Sequence, residues 1–166
     1  MRAVSGQAGT ARVAVRSGTY RVAESPGPVP TLTDQLAGPF LEMSAWPGAV
    51  PCARHHARQM LWDASLKELI EPVELVVSEM VTNSIHACGA LDRDAKAAVR
   101  LWLVAMDDGV LVMVWDASPS RPQRQSPEPE AEGGRGLLLV DALSASWGSF
   151  ELADEPGKVV WALCAS

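Results

Sequence analysis

The sequence predicts an α+β fold in which helices cover one face of a mixed, mainly antiparallel sheet. Three observations predict it. β-Rich runs flank "DDG" in "KAAVRLWLVAMDDGVLVMVWDAS" and "DEPGK" in "SWGSFELADEPGKVVWALCA", which reads as two hairpins. Aliphatic residues three and four apart mark helices elsewhere. The resulting order of helix, helix, strand, strand, loop, helix, strand, strand suits helices layered against antiparallel strands and shows no internal repeat.

Residues 1–40 mix small residues, four arginines and the proline-rich "ESPGPVP" without a sustained period, and read as a poorly ordered extension. The folded domain is expected over 41–166. A short strand is expected at 41–46, then a Pro/Gly turn, then a helix near 51–65 with Ala53, Ala57, Met60 and Leu61 in step. In the next helix Pro72 suits the first turn, where its missing N–H costs nothing, and Gly89 suits a left-handed terminator. The segment "SPSRPQRQSPEPEAEGG" is long for a connection and lacks an apolar period, so it reads as a lid or a disordered loop. Behind it, "GGRGLLLVDALSA" starts a helix between Gly134 and Gly136.

With 166 residues, 48% of them hydrophobic, the chain is long enough for one domain with a substantial core. A formal charge of −6 and a pI near 5.0 argue against direct contact with nucleic acid or an anionic membrane. Cys52, Cys88 and Cys164 are scattered and odd in number, which fits neither a disulfide framework nor a zinc pattern. With no apolar run near the roughly 20 residues of a membrane span and no signal core, a cytoplasmic protein is expected.

The helix "ELVVSEMVTNSIHACG" raises a chemical question. Its Val76, Val77, Met80, Val81 and Ile85 suit a core, yet Glu79, Asn83 and His86 line up along another stripe. Asp116 ends the strand "VLVMVWD", and Gly133, Gly134 and Gly136 open a helix. Singly these fit a solvated stripe, a turn cap and a glycine-rich turn. Together they offer the three contacts a nucleotide needs. Asn83 carries a neutral oxygen of the kind Mg²⁺ takes beside water and phosphate. Asp116 can accept a hydrogen bond from an exocyclic base amine, and the glycine turn offers N–H donors to phosphates. Glu79, one turn from Asn83, is placed to orient or deprotonate a hydroxyl. Neither a P-loop nor a strand-linked G-x-G-x-x-G occurs, and the histidines form no metal-spaced set.

Four segments in order, "ELVVSEMVTNSIHA", "VMVWDASPS", "GGRGLLLVDALSASWG" and "GKVVW", resemble the nucleotide-binding boxes and closing strand of GHKL-type ATPase domains. The similarity is greatest to anti-sigma-factor serine kinases and their small actinobacterial relatives, and it covers about residues 41–164. The resemblance implies the Bergerat fold, a two-layer α/β sandwich, with ATP and Mg²⁺ as ligands. It implies Asn83 as metal ligand, Glu79 as catalytic base, Asp116 as adenine contact, and Gly134, Arg135 and Gly136 as the phosphate segment at the lid's end. Where such domains often carry Asp-x-Gly-x-Gly, this chain has Asp116-Ala117-Ser118-Pro119-Ser120, which predicts a weaker or rearranged adenine contact.

The leading functional expectation from this resemblance is an anti-sigma-type protein serine/threonine kinase that binds a sigma factor and phosphorylates a small antagonist, regulating transcription. A non-catalytic module, whose nucleotide only sets its affinity for a protein partner, is the alternative. A detached histidine-kinase catalytic domain ranks lower because no preceding helix pair carries a phosphoacceptor histidine. A homodimer stays open.

Overall fold

The computed structural model describes residues 32–91, 97–107, 109–119, 136–153 and 155–165. In chain order these form α1 (Leu32–Gln35), β1 (Leu41–Ser44), α2 (Ala49–Asp63), a 3₁₀ turn (Lys67–Leu69) and α3 (Ile70–Leu91). There follow β2 (Ala98–Met106), β3 (Gly109–Asp116), α4 (Gly136–Leu143), β4 (Ser146–Glu151) and β5 (Lys158–Ala165). The strands make one five-stranded sheet in the order β1-β2-β3-β5-β4, and every pairing is antiparallel. The expected α+β sandwich is the observed architecture.

The sheet separates two apolar layers. Successive strand residues face opposite sides, so Val110, Val112 and Val114 of β3 join Val160, Ala162 and Cys164 of β5 beneath the helices. Here α2 contributes Ala53, Ala57 and Leu61, while α3 contributes Val73, Val76, Val77, Met80 and Val81. Each fully buried Val, Leu or Met side chain among these contributes about 1.5–3 kcal/mol. The opposite face carries Trp102, Leu111, Met113, Trp115, Val159 and Trp161. Buried on both faces and paired on both edges, β3 reads as a continuous apolar run rather than an alternating one.

Two local expectations shift. Leu32 and Leu36 are fully buried against the Trp-rich face, so packed structure extends into the segment read as an extension; residues 1–31 lie outside the described residues. Gly89 does not end its helix, which runs on to Leu91. Gly89 lies exposed in the last turn of that helix, where a glycine costs less than the roughly 1 kcal/mol of a helix interior. None of the described helices is long and apolar enough to cross a membrane.

A bidentate ion pair ties α2 to α3. Arg58 Nε and Nη2 donate to Glu74 Oε1 and Oε2 at 3.0 and 2.7 Å, and these hydrogen bonds hold the Glu74 carboxyl below its usual range. Because the folded value is the lower one, this stabilisation is present above the unfolded pKa of about 4.3 and is lost as pH falls through the folded value. Thermal melts should therefore show Glu74→Gln less stable than the native protein at neutral pH, with the gap closing in acid. A gap independent of pH would remove the ion pair as its cause.

Candidate functional site

The polar stripe of α3 meets the start of α4. Glu79 is half-buried and Asn83 and His86 are exposed, while Met80, Val81 and Ser84 point into the protein. Gly136, the first residue of α4, lies against this stripe. A Cβ built on Gly136 would collide with Glu79 Oε2, and would stand 3.4 Å from Glu79 Cδ and 3.5 Å from Asn83 Nδ2. Only a bare Cα fits there without moving the carboxylate. Glu79, Asn83 and Gly136 are therefore brought together; Gly134 and Arg135 lie outside the described residues, as does the expected lid beyond Pro119.

This end of the site suits a metal-bound triphosphate. Asn83 is exposed and offers a hard, neutral oxygen of the type Mg²⁺ accepts, and Glu79 supplies a carboxylate one helical turn away. The first backbone N–H groups of α4 lack partners within their own helix and are free to donate to an anion.

Asp116 is placed differently. It is fully buried at the end of β3, and antiparallel pairing sets it directly opposite Lys158, the first residue of β5. Lys158 Nζ donates to Asp116 Oδ1 at 2.8 Å and Oδ2 at 3.0 Å, and to the Ser118 carbonyl oxygen at 3.3 Å. The Ser118 N–H donates to Asp116 Oδ1 at 2.9 Å, closing an Asx turn. Gly157 permits this approach. Its φ of +112° suits glycine, and a Cβ there would strike the Asp116 carbonyl oxygen and come within 2.9 Å of Ala117 Cα.

Cys88, near the end of α3, abuts the same corner. Burial pushes its thiol pKa up, and the negative charge of Asp116 pushes it further, while a hydrogen bond from the Ala117 backbone and the charge of Lys158 pull the other way. One helix thus carries Glu79 and Asn83 at one end of the site and Cys88 at the other. At 1.5 Å per residue, Glu79 and Cys88 stand about 13 Å apart along its axis.

The sequence alone assigns no role to Lys158 and marks Cys88 only as one of three scattered cysteines. A signal for Lys158 exists: in "GKVVWALCA" it is the one charge on the face shared by Val160, Ala162 and Cys164. Its partner could not be read, because β3 and β5 are far apart in the chain and their adjacency belongs to the sheet order.

Residues 43–163 match the histidine kinase-like ATPase domain family, a span that includes Glu79, Asn83, Asp116, Gly136 and Lys158. The chain belongs to that family. Among solved structures it is similar to the nucleotide-free catalytic domain of the histidine kinase ThkA, at 14% identity and a TM-score of 0.43, covering 76% of this chain and 97% of that one. No curated protein sequence matches the chain. Membership in the histidine kinase-like ATPase family supports ATP, generally held with Mg²⁺, as the ligand of this fold and a regulatory role for the chain.

Proposed function

We propose that this chain is an ATP-dependent protein serine/threonine kinase of the anti-sigma-factor type, acting in the cytoplasm on a small antagonist protein and exchanging that partner for a sigma factor. The observation that carries this reading is the meeting of Glu79, Asn83 and Gly136 where two helices touch. Asn83 would hold Mg²⁺, whose charge would offset that of the phosphates. Glu79 would accept the proton of the incoming serine hydroxyl, and the backbone at Gly136 would steady the phosphates. The acidic surface suits protein partners over nucleic acid.

A second reading, a non-catalytic module that binds nucleotide to set its affinity for a partner, is favoured by one observation: the Asp116 carboxylate is engaged by Lys158. Titration calorimetry with Mg-ATP tests what both readings share. Micromolar to millimolar binding is expected, with Asn83→Ala weakening it and abolishing its dependence on magnesium. Absence of binding at millimolar Mg-ATP would sink both. Labelled Mg-ATP offered with co-purified partners then separates them, since only a kinase moves label onto a protein.

A further inference from the structure

We infer that Lys158 is the residue that sets nucleotide affinity and purine selectivity, by occupying the carboxylate with which this site would otherwise read adenine. This rests on the ATP-binding reading above and deepens it. An ammonium has three N–H donors, and those of Lys158 are matched by three acceptors, Asp116 Oδ1, Asp116 Oδ2 and the Ser118 carbonyl. Asp116 Oδ1 also accepts the Ser118 N–H. The carboxylate has no exposed surface, and the Lys158 side chain beside it is 7% exposed. This corner is closed on its own hydrogen bonds.

A base amine could reach Asp116 only after Lys158 swung away, giving up charge-assisted hydrogen bonds inside a low-dielectric corner. Lys158 is therefore a tethered competitor for the acceptor. Closure is confined to this end. Asn83, Glu79 and Gly136 meet at the other, so the native protein holds the triphosphate without discriminating adenine from guanine. Lys158 is held in place by backbone on both sides: the positive φ of Gly157 delivers it into β5, and cross-strand pairing fixes it opposite Asp116. The pair is thus set by strand register and does not depend on a chance rotamer.

The test replaces Lys158 with threonine, which suits a strand and keeps a hydroxyl donor for Asp116 while leaving a polar space that water or a base amine can enter. Lys158→Thr should tighten Mg-ATP binding about 10- to 100-fold, equivalent to about 1.4–2.8 kcal/mol, and change Mg-GTP little. The native protein should bind the two alike. An unchanged or weaker ATP affinity in folded Lys158→Thr overturns the inference and leaves the ATP-binding reading standing, whereas failure of both proteins to bind any nucleotide overturns both. Should Lys158→Thr not fold, the Lys67→Arg/Lys96→Arg protein decides, because Lys158 is then its sole lysine. Its ammonium resonance in ¹⁵N NMR should stay in place on addition of saturating Mg-ATP. Its loss or a large shift would show that the base displaces Lys158 and would overturn the inference.

Discussion

Asp116→Ala should destabilise the folded protein by about 3–5 kcal/mol, the cost of stranding one member of a buried ion pair. The carboxylate it removes has no solvent exposure and accepts two hydrogen bonds from Lys158 and one from the Ser118 N–H. In its absence the Lys158 ammonium keeps only the Ser118 carbonyl among these partners, at 3.3 Å. Taking an apolar environment while losing its counter-charge is the costly case, and the ammonium has little route to water at 7% exposure. Replacing both partners removes the penalty along with the pair. Asp116→Leu combined with Lys158→Met should therefore recover most of the loss, since apolar groups of similar volume in place of a buried pair are often neutral or stabilising. Urea unfolding of the three proteins measures both effects. A loss below about 1 kcal/mol in Asp116→Ala would mean that water reaches Lys158 and that the corner is not dry.

How far the sequence carries can be followed through particular residues. The hairpins were legible because turn chemistry is local: "DDG" joins β2 to β3, with Met106 opposite Gly109, and the turn containing Gly157 joins β4 to β5. The meeting of Glu79 with Asn83 was legible because four-residue spacing on a helix is itself a contact. Gly136 lies far along the chain from both, and only the resemblance to a family placed it at the same site. Asp116 shows where local reading stops. As the terminal carboxylate of an apolar strand it suits either a capped turn or a ligand contact, and the structure adds a third role that depends on which strand lies alongside. The Trp-rich face was illegible for a related reason. With β3 buried on both sides, Leu111, Met113 and Trp115 do not stand out from Val110, Val112 and Val114 in any alternating pattern.

If the chain is the kinase proposed above, Glu79→Gln should reduce phosphoryl transfer to a cognate protein partner by about 10²–10⁴-fold, the range for loss of a positioned general base, while leaving the affinity for Mg-ATP nearly unchanged. Glutamine has nearly the same size as glutamate, so the close packing against Gly136 survives, and with it the position of Asn83. What disappears is the capacity to take up a proton from the attacking hydroxyl. The reduction corresponds to about 2.7–5.4 kcal/mol of lost transition-state stabilisation. Single-turnover transfer measured beside calorimetric ATP affinity separates the two quantities, which steady-state rates would merge. Gly136→Ala approaches the same group by geometry: its Cβ would collide with Glu79 Oε2 and turn the carboxylate away with its basicity intact. Transfer should fall in both variants if the position of that carboxylate matters. Transfer at the native rate in Glu79→Gln would instead make Glu79 a packing partner of Gly136, and the non-catalytic reading of the site would then be the better one.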